Sequence, residues 1–465
     1  MSAPAKIAGA RVADIVGEQN CFFDPSELAE YEVGGMMPGG AARPGSAEEV
    51  AELVRMAAAD RLAVIPCGAR TKLEMGLTPE RYDLAIDMTR LDRVAAYDPG
   101  DLTLGVEAGC ELAKLQSVLA EHRQFLPLAV PWFRQTTVGG TIATGVDTPL
   151  RQLFGTARDY ILGMEFVTGE GVAAKSGGRV VKNVTGYDLH KLMIGAFGTL
   201  GIMTKINFRT FPLPLESRAF VARFDESKGA FELRDRVAES PLAPLTIEIF
   251  SPPVSGLFGS DVAARMEPNP YEPGLLSAKH WIFTSGFAGN EGVLSRYERD
   301  MTGMAERCGA GGVSVLAQGQ IAGAFGRKRE FVPIALESSP ATTIVKLSVL
   351  PRKMNEILAR AGRFADEAGE RWAAMARGVG VIYFALLPEA RDEDARRRAA
   401  KISEEVIAAV AALDGHAMIP WCPREWKGSL PVWGRPRADF PQMHKLKTLF
   451  DPSRILAPGR FVGGL

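Results

Sequence analysis

This 465-residue chain has little cysteine, little histidine and almost no net charge. Its five cysteines, Cys21, Cys67, Cys110, Cys308 and Cys422, contain no CxxC pair. That excludes a local iron–sulfur motif and argues against a disulfide framework, so a reduced, cytoplasmic protein is expected. Five scattered histidines form no HxH or HExxH pattern, and no metal is expected. Lys plus Arg number 54 against 55 for Asp plus Glu, so electrostatics give no reason to expect nucleic acid as a partner. No apolar run reaches the ~18–20 residues that span a bilayer, and the N-terminal stretch lacks the apolar core of a secretory signal. No GxGxxG follows the first strand and no P-loop lysine motif occurs, so Rossmann and ATPase readings lack support.

What is present is an ordinary globular composition, 46% apolar and 23% charged, in a chain long enough for two domains. Ser46 caps an amphipathic helix with Glu49 three residues on, and Val50, Leu53, Val54 and Ala57 share one face. A buried strand follows at 62–65, stopped by Pro66 and Gly68. Further strands are expected at 162–168 and 201–208. After Pro212 the pattern becomes strand–helix–strand, with strands near 219–224, 245–251, 280–289, 343–350 and 379–387. That rhythm predicts an α+β domain of ferredoxin-like units. The division is 41–213, then 215–420, then a segment 421–465 rich in Pro, Arg and Trp. With no long periodic helix, this last segment is expected to fold back on the first domain.

The chemistry concentrates in glycine-rich stretches. Glycine costs about 0.5–1 kcal/mol inside a regular element, so Val138-Gly139-Gly140-Thr141 implies backbone brought close to something. Unhindered N–H groups and hydroxyls there suit a phosphate. The loop Pro66-Cys67-Gly68-Ala69-Arg70-Thr71-Lys72 turns successive N–H groups one way after a strand, although an ordinary turn explains it equally well. Arg70 adds charge or points to solvent, and Cys67 is read as a packing residue. Arg158 and Asp159 are open to reading as a structural ion pair.

These stretches, with Thr137–Gly145, Phe154–Gly163 and Gly198–Ile202 in the same order, closely resemble the FAD domain of the vanillyl-alcohol oxidase superfamily, the PCMH-type domain. The resemblance implies that domain with a ferredoxin-like α+β cap, and FAD as cofactor. The implied cofactor contacts are Pro66, Cys67, Gly68, Ala69, Arg70, Thr71, Lys72, Pro131, Thr137, Val138, Gly139, Gly140, Thr141, Thr144, Gly145, Arg158, Gly201 and Ile202. The first loop lacks the histidine to which relatives attach FAD covalently, which implies non-covalent FAD.

Residues 154–171 and 177–204 and the tail FDPSRILAPGRFVGG further resemble the FAD-binding subunit of bacterial glycolate oxidase. That implies a subunit relaying electrons from 2-hydroxy acid oxidation, partnered by a second flavin-containing catalytic subunit and an iron–sulfur subunit. Any membrane contact is expected through those partners. The alternative is a self-sufficient FAD oxidoreductase acting on another alcohol or hydroxy acid, with Trp132 among the residues near the ring. Two departures matter. Ala457 stands where the superfamily has asparagine, and Gly378–Phe384 lacks the histidines of the metal-binding segment in related D-2-hydroxy acid dehydrogenases. A reduced flavin ring needs nearby positive charge, for which Lys182, Arg460 and Arg134 are the candidates. Tyr187 either stacks on the ring or lies in the core.

Overall fold

A computed structural model describes residues 7–180, 186–267 and 278–465. Two sheets form the N-terminal half. One holds Cys21–Phe22, Gly40–Ala42, Leu84–Asp87 and Val64–Cys67 in that spatial order. Its last three strands run parallel, with Ala41 and Ile65 both opposite Ala85. The helix Ala47–Asp60 crosses between Gly40–Ala42 and Val64–Cys67. The Ser46 hydroxyl accepts its cap bond from the Glu49 N–H at 3.1 Å, and Val50, Leu53, Val54 and Ala57 are buried. The second sheet is antiparallel, with Ile202–Arg209 central between Thr103–Glu107 and Ile161–Val167.

The second domain is one eight-stranded antiparallel sheet made of two similar halves. In spatial order its strands are 312–316, 217–224, 281–288, 246–250, 372–377, 381–386, 343–348 and 416–421. Each half reads strand–helix–strand–strand–helix–strand and has the ferredoxin-like arrangement expected for the cap. The halves join where Ile249 pairs with Ala376. Strand alternation then separates two faces. Leu347, Ile382 and Ala417 lie in one core with Ile357, Leu358, Ile402 and Val406 of the covering helices. The neighbouring positions Lys346, Tyr383 and Met418 are register partners and so share the opposite face, with His416 two residues before Met418.

The C-terminal segment returns to the first domain, as its composition suggested. The Ala457 N–H donates to the Val64 carbonyl at 2.8 Å, and Leu456 bridges Val64 in parallel. It does contain a helix, Phe440–Phe450, contrary to expectation. Its anchor is buried: Lys447 Nζ donates to Asp451 at 2.6 Å and to the carbonyls of Thr199 and Leu456. A lysine and an aspartate inside the structure left no strong apolar periodicity to read.

Candidate functional site

The strand Val64–Cys67 ends in a loop whose N–H groups, Gly68 through Lys72, find no acceptor among the described residues. Consecutive free donors in one turn form an anion cradle. Arg70 takes φ +61° within it. The loop forms one wall of a cleft of about 730 Å³, closed by the segments 136–144 and 197–203. Gly139 is needed for this closeness, since a Cβ there would stand 2.8 Å from both the side chain and the carbonyl of Ala108. Gly68 likewise leaves no room for a side chain beside Thr137.

Residues 138–144 are not a loop but a short helix, capped by Thr137 accepting from the Gly140 N–H at 3.2 Å. The N–H groups of Val138 and Gly139 donate to the carbonyls of Cys110 and Ala108. Gly139 therefore serves packing against 108–110, Gly140 lines the cleft, and the free donors belong to the first loop.

Of the implied contacts, Pro66 through Lys72, Thr137, Gly139, Gly140, Thr144, Gly201 and Ile202 line the cleft. Pro131 and Val138 do not line it; both are buried, Val138 in the core under the second sheet. Thr141, Gly145 and Arg158 instead line a neighbouring cavity. The Arg158–Asp159 pair does not form. Arg158 donates to the Lys191 carbonyl, while Asp159 completes a capping box with Thr156. Arg70 is paired with Glu30 at 2.9 Å and buried Asp87 at 3.1 Å.

The charged candidates separate sharply. Lys182 lies outside the described residues. Arg134 is 60% exposed and reaches Glu267 at 3.5 Å, because Trp132 and Phe133 turn their N–H groups onto Glu330 and carry the segment away from the cleft. Arg460 does line the cleft, but its guanidinium donates to the Leu73 and Met75 carbonyls. Burial pushes it down to about 10. It fastens the tail to the loop. Tyr187 is 89% exposed, so it neither belongs to the core nor touches the cleft. Cys67 is buried at the cleft wall, and burial raises its thiol well above the usual range.

Lys72, an implied cofactor contact, lines the cleft. Its Nζ turns inward to the hydroxyls of Thr71 and Thr136 and sits 5.9 Å from the Trp132 ring centre. Burial pushes it down to about 7, against the opposing pull of Glu330.

Thr144 and Phe197 also line a second cavity, about 1540 Å³, between the first domain, the open face of the cap sheet and the tail. Arg151, Arg158, Lys346, Arg435 and Arg437 line it, against the carboxylates Asp147 and Asp439. Asp147 is already bound to Arg377 at 2.7 Å and Arg151 at 3.4 Å. Burial, then Arg437 and Lys346, lower the His416 pKa, so this ring is neutral near pH 7. Among the described residues no cluster of His, Cys, Asp or Glu could hold a metal, and no helix is long and apolar enough to cross a membrane. This basic cavity was invisible in the sequence, because strands 343–348, 381–386 and 416–421 meet only through tertiary pairing.

Comparison with known proteins agrees with this architecture. Residues 38–177 match the FAD binding domain family, and 213–418 match the C-terminal domain of FAD linked oxidases. Glycolate oxidase subunit GlcD of Bacillus subtilis is 24% identical over 431 residues, covering 91% of this chain and 89% of that protein. Glycolate oxidase subunit GlcE of Escherichia coli is 31% identical over 239 residues, covering 51% of this chain and 65% of that one. A D-2-hydroxyglutarate dehydrogenase of Xanthomonas citri is 32% identical over 209 residues, covering 45% of this chain and 43% of that one. In fold, p-cresol methylhydroxylase superposes with a TM-score of 0.78 at 16% identity, covering 97% of this chain and 96% of that one. The chain belongs to the FAD-dependent oxidoreductases, with a PCMH-type FAD-binding domain followed by an FAD-linked oxidase C-terminal domain.

Proposed function

We propose that this protein oxidises a small 2-hydroxy acid at its own FAD. The diphosphate fits the free N–H groups of 68–72, and the apolar end of the cleft, at Met88, Ile202 and Met203, suits the adenine. The redox ring then belongs at the end adjoining the second cavity, because substrate must reach it. When bound, FAD takes a hydride equivalent from the substrate carbon and passes two electrons onward. The cofactor is held without a covalent bond, since the cleft's cysteine is a buried thiol.

The observation that carries this reading is the basic cavity that shares Thr144 and Phe197 with the cleft. Lys346, Arg435 and Arg437 offer charge to a carboxylate where the described residues offer no metal. A charge-assisted hydrogen bond contributes about 1.5–3 kcal/mol, enough to orient such an anion. Electrons leave to an iron–sulfur partner, as the chain has no cysteine cluster of its own. The protein is cytoplasmic, and any membrane contact is made through its partners.

A second reading makes this chain an electron relay beside a separate flavin-containing catalytic subunit. The likeness to both GlcD and GlcE favours it. Anaerobic addition of glycolate or D-lactate to the isolated, FAD-loaded chain decides between them. Bleaching of the flavin supports oxidation at this chain. Bleaching that requires a co-purified flavin subunit supports the relay.

A further inference from the structure

We infer that Glu330 of the cap is a positioning residue for the flavin ring, acting through Trp132 between the walls of the cleft and of the second cavity. The inference rests on FAD lying in the cleft with its ring toward that cavity.

Trp132 takes φ +55°, in the left-handed region, where a bulky side chain is strained. Such a conformation persists only where its surroundings hold it, and residues of this kind gather at functional sites. The holder is a single carboxylate of the other domain. Glu330 Oε2 accepts from the Trp132 N–H at 2.6 Å, and Oε1 accepts from the Phe133 N–H at 3.3 Å. Two consecutive N–H groups thus close on one anion, as in a backbone nest. Arg329 fixes that anion in turn, donating from Nε to Oε1 at 3.0 Å, and its guanidinium lies 4.4 Å from the centre of the Phe133 ring. Glu330 is buried, so water does not compete for these bonds.

What Glu330 holds in place reaches the walls of both cavities. The Trp132 ring centre lies 5.9 Å from that of Trp421, which lines the second cavity. Lys72 Nζ, from the cleft wall, lies 5.9 Å from the same ring centre. The Trp132 carbonyl accepts from the Thr136 N–H at 2.8 Å. Thr136 brings the chain back to the cleft, where its hydroxyl accepts from Lys72. Thr136 and Lys72 therefore take their places from Trp132, and Trp132 takes its own from the cap. A shift of the indole moves two residues of the cofactor side and one of the substrate side together. Small displacements of that kind are what spoil the alignment of two reacting groups.

The test is visible-region circular dichroism of the FAD-loaded full chain, which needs no substrate. The flavin ring is achiral, so its signal there reports the asymmetry of the protein around it. Glu330→Gln keeps the volume but sets an amide NH2 against one of the N–H donors. It should change the sign or intensity of the flavin bands with FAD still bound. Trp132→Gly adopts φ +55° without strain and needs no holder, so it should change the bands by itself. Glu330→Gln added to Trp132→Gly should then change nothing more, because the two residues act as one unit. Wild-type bands in flavin-loaded Glu330→Gln overturn the proposal. So does a Glu330→Gln effect that persists in full beside Trp132→Gly, since the carboxylate would then reach the ring by another route. If either variant loses its FAD, Trp132→Phe, which keeps the backbone contacts, decides: altered bands support the proposal and wild-type bands overturn it. Wild-type protein that binds no FAD overturns the cofactor placement along with it.

Discussion

Asp147 of the first domain and Arg377 of the cap sheet form a buried ion pair at 2.7 Å, with side chains 4% and 3% exposed. Arg377 also lies over the Tyr383 ring, 5.1 Å from its centre. The pair ties the floor of the basic cavity to its wall. Removing one partner leaves a buried charge without compensation, at a cost of about 3–5 kcal/mol. Asp147→Asn should lower the thermal midpoint by several degrees.

The acid dependence of that difference follows from Asp147 itself. Burial alone would raise the carboxyl, but Arg377, Lys346 and Arg151 outweigh burial and hold it below its ordinary value. A carboxylate lowered in the folded state contributes fully above its unfolded value of about 4, and loses that contribution as pH falls through the folded value. The gap in midpoint between wild type and Asp147→Asn should therefore be constant from about pH 5 to 8 and shrink below about 4. A gap that persists unchanged at about pH 3 would contradict this role.

Two adjacent glycines should behave differently. A Cβ at Gly139 meets Ala108 at 2.8 Å, so Gly139→Ala overpacks the helix against 108–110 and costs about 1–3 kcal/mol of stability. At Gly140 the nearest atom is its own cap, Thr137 Oγ1, at 3.1 Å, and the position lines the cleft. Gly140→Val should keep the fold and lose FAD. Circular dichroism with flavin absorbance per chain separates the two, and equal loss of fold in both variants would refute the distinction.

The cleft was legible in sequence because close backbone approach selects glycine and threonine locally. Gly68, Gly139 and Gly201 could be recognised without knowing what they touch. Ser46 and its helix were legible for the same reason, since capping and amphipathic spacing are local. The strands 372–377 and 416–421 were missed. The first, WAAMAR, is rich in alanine, and the second ends in Pro-Trp, so neither shows clean alternation. Lys72 was read by its neighbours in the phosphate loop. Its environment is set by Trp132 and Glu330, 60 and 258 positions away along the chain. Arg460, read as a charge near the ring, lines the cleft with its guanidinium engaged by carbonyls that composition could not reveal.

That engagement changes what Arg460→Met should do. The arginine binds the carbonyls of Leu73 and Met75, joining the tail to the end of the loop 68–72. Its loss leaves two buried acceptors unpaired, each at about 1–3 kcal/mol. FAD should dissociate faster from Arg460→Met, while the reduction potential of the protein still loaded should stay close to wild type. Stopped-flow release of FAD and spectroelectrochemistry measure these separately. A large drop in potential with unchanged release would return Arg460 to the role of charge beside the ring.

The basic cavity makes the last expectation. Lys346 and Arg437 both act on His416 and oppose its protonation, so the lysine and arginine side chains of the cavity, rather than His416, offer charge to an anion. Lys346→Met and Arg437→Met should each raise KM for a 2-hydroxy acid by about 10- to 100-fold, equivalent to losing one charge-assisted bond. Their effect on kcat should be small, since neither is needed to take hydrogen from the substrate carbon. FAD content should not change, because neither residue lines the cofactor cleft. Raising salt should weaken the wild type more than either variant, as fewer exposed charges remain to be screened. If kcat falls with KM unchanged, these cations act on the reaction rather than on recognition, and the carboxylate must bind elsewhere.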